Sequence, residues 1–386
     1  MTSPAPDESR RHGWRIGSIA GTPVYIARSW PVIAVIIIAV FGPALGRADR
    51  SPSYGYVVAG GYAVLLLVSV LVHEAAHALA ARARGHAVGR IVADVWGGHT
   101  VYDATRSTPG TTALVAVVGP LSNLVLAAVA WLVEAGVTNE TASTLLVIVA
   151  RANFLVGLFN LLPGLPLDGG QIVSALVWRL TGRKGSGLVA AGWLGRVMAA
   201  GTVLWFVGRP LLEGQSITMF GVVWPVAIAF FLWQGATQAI RAGAIIDATA
   251  GPVGDVLEPV LLLPTTATLG EAAALAGPAD TTSAWLVATD EGGWPFGLLD
   301  PAAAAEVPAG ARATTPLGAV VTSQPAEWVV ALGTDAVLTD LVREMSERNL
   351  PVIVVVDATT RRVAGLATAE RVNEVVGAAL ARRRRS

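Results

Sequence analysis

The stretch Leu71-Val72-His73-Glu74-Ala75-Ala76-His77 lies inside a segment, Tyr56 to Ala83, that is otherwise almost wholly apolar. Helical periodicity puts His73 and His77 one turn apart on a single face, so both imidazoles can reach one metal ion. Glu74 then stands beside that site as the candidate general base. A carboxylate and two imidazoles at membrane depth are costly and mark a functional site. The competing reading is a buried polar cluster that only ties helices together, and the H-E-x-x-H spacing fits it less well.

Working outward, the 386 residues are 53% hydrophobic and 14% charged, a charge share well below the roughly 25% of soluble domains. The apolar excess occupies the first two-thirds, so a membrane domain precedes a more ordinary soluble one. Lys+Arg and Asp+Glu both number 27, which gives no electrostatic signal for nucleic acid, and none is expected as a partner. Cys is 0, so thiolate ligands, disulfides and cysteine nucleophiles are excluded together, and any metal site must use His and carboxylate.

Hydropathy predicts about six spans: Trp30 to Gly46, slightly short, then Tyr56 to Ala83, Thr111 to Val133, Ala142 to Leu162, Gly187 to Val207 and Ile217 to Ile240. The third is expected to be entered through a break at Gly119-Pro120, and the fourth to end at Pro163 and Pro166. Two small hairpins are expected, Trp14 to Ala27 about Gly21-Thr22-Pro23 and Val88 to Tyr102 about Gly97-Gly98. A short helix should follow at Gln171 to Leu180. Arginines flank spans one, two, four and six on one side, which places both termini in the cytoplasm, although Arg47 and Arg50 fall on the other side. The domain scheme is therefore 1–29 as a cytoplasmic segment with a hairpin, 30–241 as the membrane domain, 250–310 and 311–381 as two soluble modules, and 382–386 as a basic tail.

The H-E-x-x-H pair lacks a third ligand, and a lone carboxylate is available downstream in Asn160-Leu161-Leu162-Pro163-Gly164-Leu165-Pro166-Leu167-Asp168-Gly169-Gly170. With Gly119-Pro120-Leu121-Ser122-Asn123 between them, the three motifs resemble, in order, those of the site-2 protease family of intramembrane zinc metalloproteases, over about Trp14 to Arg241. The resemblance implies one zinc per chain held by His73, His77 and Asp168, water activated by Glu74, and a protein substrate cut in its transmembrane segment within the lipid bilayer of a bacterial or archaeal plasma membrane. Asp168 also reads as a helix N-cap before Gly169-Gly170, a role compatible with ligation. Asn160 and Asn123 could each donate to a scissile carbonyl or serve as interhelical hydrogen-bond formers. Gly97 and Gly98, beside the site on the second hairpin, are candidate substrate contacts. His99 departs from the small residue of relatives and reads as a surface-loop histidine.

From Ala250 each half suggests strand–helix–strand–strand–helix, and Leu350 to Asp357 followed by Val363 to Thr368 looks like the second part of a CBS module. Such a pair allows a homodimer and, in relatives, adenine-nucleotide binding through Ser or Thr followed three residues later by Asp. Here Thr368 is followed by Arg371, and Asp300 by Ala303, which argues against adenine-nucleotide binding. The fold class expected is thus an α-helical polytopic membrane domain plus a soluble α/β CBS pair. Two rival functions share parts of this pattern: a CBS-regulated transporter, which should show internal repeats that spans one to three and four to six lack, and an inactive metal-binding scaffold, which has no need of Glu74.

Overall fold

The computed structural model describes residues 13–46, 52–94, 97–104, 106–276 and 284–385. The segment 1–12, Arg47, Arg50 and Val95 lie outside them. The chain forms two compact units, Met1–Gly243 and Ala244–Ser386.

The first unit opens with β1 (Trp14–Ile19) and β2 (Thr22–Ile26), followed by α1 (Trp30–Gly46) and α2 (Pro52–Ala83). Next come β3 (Val88–Asp94) and β4 (Gly97–Tyr102), then α3 (Pro109–Glu134), α4 (Glu140–Asn160) and α5 (Asp168–Thr181). It closes with α6 (Lys184–Val203), which runs on through a π-turn to Leu212, and α7 (Met219–Ala248). Five of these helices are long and apolar enough to cross a membrane, and α1, at 17 residues, is a shorter apolar helix beside them. Many large apolar side chains on them face outward, Leu132 and Val197 among them, which suits lipid and not water. The protein is an integral membrane protein.

The two hairpins join into one sheet, order β1-β2-β3-β4, because β2 pairs in parallel with β3 (Val24 opposite Ile91). Val24 and Ile91 then pack on Ala78 of α2, with Leu71 beside them, so the sheet lies against the motif-bearing end of that helix. Gly97 and Gly98 do not form the hairpin turn; they open β4, which takes them onto the ladder opposite Asp94 and Ala93. Nor is Gly119-Pro120 an entry break. The helix α3 runs through it, starting instead at Thr108, whose hydroxyl accepts from the Thr111 amide. A proline can stand there because its one missing N–H is tolerated inside a packed bundle.

The second unit repeats one topology. In its first half β5 (Val260–Pro264), α8 (Leu269–Ala276), β6 (Trp285–Thr289), β7 (Pro295–Leu299) and α9 (Pro301–Glu306) succeed one another. The second half gives β9 (Val329–Ala331), α10 (Leu338–Arg348), β10 (Val352–Val356), β11 (Val363–Thr368) and α11 (Ala369–Arg385), with β8 (Val321–Ser323) added to the first sheet. In each half the first strand pairs in parallel with the second, and the second antiparallel with the third. Val287 of the first sheet packs with Val354, Val356 and Leu366 of the second around Trp328, giving the two halves a shared core. This is the α/β pair read from the sequence.

Candidate metal centre

On α2 the His73 and His77 side chains point the same way, and both residues are buried, as is Glu74. Two contacts with α3 set the imidazoles. His73 donates through Nδ1 to Asn123 Oδ1 at 2.9 Å, and His77 through Nδ1 to the Val115 carbonyl at 2.7 Å. With each Nδ1 carrying the proton, each Nε2 presents a lone pair, the tautomer a metal requires.

Those Nε2 atoms converge on a carboxylate. They lie 3.1 Å from each other, and Asp168 brings Oδ2 to 3.2 Å from His73 Nε2 and Oδ1 to 3.5 Å from His77 Nε2. Asp168 is the first residue of α5, but the cap position belongs to Leu167 and no side chain makes the cap bond. The N-cap reading of Asp168 is therefore corrected: its oxygens face the imidazoles. With Nε2 unprotonated on both rings, the two nitrogens and the carboxylate make a donor set suited to a cation. Three donors at about 2.0–2.1 Å from a tetrahedral ion would stand ~3.3–3.4 Å apart, which the observed separations match. His73, His77 and Asp168 are a group of His and carboxylate residues able to hold a metal ion among the described residues.

The close approach of α3 explains its Gly-Pro pair. A Cβ on Gly119 would strike His77 Nε2 and come within 2.8 Å of His73 Cε1. Only a bare Cα lets the helix backbone pass the rings while Asn123, one turn later, reaches His73. Of the two roles the sequence offers Asn123, substrate contact and interhelical bond former, its carbonyl oxygen is engaged in the second.

Glu74 is placed by β4. Thr100 donates its hydroxyl to Glu74, with Oε2 at 2.8 Å and the main-chain oxygen at 3.0 Å. Two residues earlier on the same face, a Cβ on Gly98 would meet Glu74 Cγ at 2.7 Å. Gly98 thus lets the strand lie directly over the carboxylate. Strand alternation turns His99, between them, to the opposite face. It is exposed, sits on the strand and not in a loop, and its Nδ1 lies 3.3 Å from Asp94 Oδ2, a contact that raises its pKa. Thr100 was absent from the sequence reading; the i, i+2 relation to Gly98 is the signal that could have found it.

A cavity of about 430 Å³ adjoins these groups. His73, Glu74, Gly98, Asn123, Asn160 and Asp168 all contribute to its wall. Gly97 begins β4 next to this wall.

Residues 133–204 match the family model described as Peptidase family M50, a span that includes Asp168 and its loop. A provisionally named zinc metalloprotease of Synechocystis is 31% identical over 229 residues, 59% of this chain and 59% of its own length. The provisionally named zinc metalloprotease Rip3 of Mycobacterium tuberculosis is 33% identical over 255 residues, 61% of this chain and 63% of its own. The chain thus spans about six-tenths of the length of these curated relatives. Among solved structures, the site-2 protease from Methanocaldococcus jannaschii aligns with 60% of this chain and 96% of its own at 22% identity, with a TM-score of 0.44. Through the family match over residues 133–204, these relatives and the His-Glu-His motif, the membrane unit is similar to Peptidase family M50, the site-2 protease family.

Proposed function

We propose that this protein is an intramembrane zinc endopeptidase, with one zinc per chain held by His73, His77 and Asp168 and with Glu74 as general base. The observation that carries the reading is the convergence of both Nε2 atoms and the Asp168 carboxylate within 3.5 Å beside a buried Glu74. A zinc ion there would supply Lewis acidity and bring the pKa of a coordinated water toward ~7. Glu74 takes the proton of the attacking water as oxygen adds to the scissile carbonyl carbon, then passes it to the leaving amine as the C–N bond breaks. Thr100 holds one carboxylate oxygen of Glu74 and so aims the other. Asn160 lines the same cavity, which supports a role for its side-chain amide as a donor to the scissile carbonyl.

A helical substrate must unwind before its carbonyls become available. Among the described residues β4 pairs only with β3, so its other edge is open to an extended peptide by strand addition. Gly97 and Gly98 lie on that strand. The substrates are then transmembrane segments of other proteins, cut in regulated intramembrane proteolysis, and both termini of this chain lie in the cytoplasm. The second unit serves as a CBS pair in assembly, including homodimerisation, or in regulation. Zinc analysis of the purified protein together with cleavage of a model transmembrane peptide tests the reading. Stoichiometric zinc with chelator-sensitive cleavage supports it; zinc without cleavage supports a scaffold, and neither zinc nor cleavage leaves the transporter reading.

A further inference from the structure

Near the middle of α6, in an apolar helix, stands Arg196. Its guanidinium is stacked between two tryptophan rings, 4.8 Å from the centroid of Trp193 on its own helix and 5.0 Å from that of Trp233 on α7. Nη2 donates to Thr237 Oγ1 at 3.1 Å. Nε is buried without a hydrogen-bond partner, and among the described residues no carboxylate is within ion-pair distance. Arginine carries five N–H donors and stays charged, so a stack and one hydroxyl leave most of its capacity unused. Cation–π stacking orients the group and lessens its desolvation cost, but supplies no counter-charge.

The depth is informative. Arg196 lies about 18 Å along the helix from Lys184 and about 24 Å from Leu212, while phosphate headgroups lie some 15 Å from the bilayer midplane. Lipid phosphate is therefore out of reach of a guanidinium clamped between rings. The adjoining Gly195 packs on the Leu165 carbonyl, and Gly235 of α7 on the Pro166 ring, so the arginine sits level with the loop that leads into Asp168 at the start of α5. Trp193 and Trp233 are 55% and 46% exposed, and Val197 and Phe230 beside them also face outward. The charge is thus set in an aromatic patch on the outer surface of α6 and α7.

A second copy of this chain cannot supply the anion. In the helices α1 to α4, α6 and α7 the carboxylates are Glu74, which is buried, and Glu134, Glu140 and Asp247, which stand at helix ends. We infer that Arg196 is a docking point for a transmembrane helix of another protein that carries an Asp or Glu near mid-membrane, selecting that helix and setting its depth against the catalytic loop. The inference rests on the reading that the membrane unit accepts transmembrane segments, but its test does not require turnover.

The full chain carrying Glu74→Gln, reconstituted in nanodiscs, is titrated with a labelled model transmembrane peptide bearing a central Asp, and with its central-Asn twin. Asp should bind roughly tenfold tighter than Asn, as a charge-assisted pair adds about that factor. Arg196→Gln should abolish the difference, and Arg196→Lys, which keeps charge but not the planar stack, should retain only part of it. Arg151, the mid-helix arginine of α4, is exposed and has no ring stacked on it among the described residues, so Arg151→Gln should leave the preference intact. Equal binding of the two peptides, binding of neither, persistence of the preference in Arg196→Gln, or its equal loss in Arg151→Gln would overturn the inference. Cleavage by the protein with Glu74 intact remains a separate measurement, so a failed docking test does not count against the protease reading.

Discussion

Asn123 accepts from His73 Nδ1 at 2.9 Å, one helical turn beyond the glycine that lets α3 pass against both imidazoles. This single bond determines which His73 nitrogen is free, and it links the second sequence motif to the first. Asn123→Ala should therefore lower zinc affinity by roughly tenfold to a hundredfold, the usual cost of removing an outer partner of a ligating histidine. Competition against a zinc-binding dye, with the fold checked by circular dichroism, measures it. Unchanged affinity would return Asn123 to the substrate role weighed from the sequence.

In the proposed mechanism Thr100 bears on chemistry and not on the metal. Thr100→Val keeps the shape of the strand but removes the donor to Glu74 Oε2, so the base loses its orientation. The expected outcome is full zinc with cleavage reduced by roughly tenfold, mainly in kcat, in line with one lost hydrogen bond to a charged group. A drop in zinc content would show that the strand supports the ligands instead.

Asp168 separates capping from ligation. Asn caps a helix about as well as Asp but binds zinc poorly, and the cap position is held by Leu167 in any case. Asp168→Asn should keep the fold and lose most of its zinc. Zinc retained in full would require another third ligand.

The legible parts of this molecule were those written in local spacing. His73, Glu74 and His77 follow from one helical turn, and the six apolar helices from composition alone. Asp168 opens a helix far along the chain, so the residues offer a lone carboxylate and the family resemblance supplies its role. Less legible were relations that arise only when distant elements meet. The β2–β3 pairing that makes one sheet of two hairpins joins Val24 to Ile91 and has no short-range signal. Thr100 carries no local signal of its contact, which arises only where Gly98 brings β4 onto Glu74, and Gly119-Pro120 resembles a break because its reason, the imidazole rings, lies on another helix.

In the second unit, Thr368 and Asp300 are already engaged. Thr368 accepts from the Arg371 amide and donates to Glu258, while Asp300 caps α9 through the Ala302 and Ala303 amides. A ribose would find neither carboxylate three residues on, and one unmet buried hydrogen bond costs ~1–3 kcal/mol, or roughly tenfold to a hundredfold in affinity. Calorimetry on the full chain should show only weak AMP binding, with a Kd well above the micromolar range. Micromolar or tighter binding would contradict this account of the unit.

The central claim is that Glu74 is the base of a zinc peptidase and takes no part in holding the ion. The most direct measurement is zinc content and cleavage of a reconstituted transmembrane peptide by Glu74→Gln beside the unaltered protein. The account predicts equal zinc in the two and a loss of cleavage of roughly a hundredfold or more in the variant. Cleavage by Glu74→Gln at near the unaltered rate, or no cleavage by the zinc-loaded unaltered protein, would contradict it.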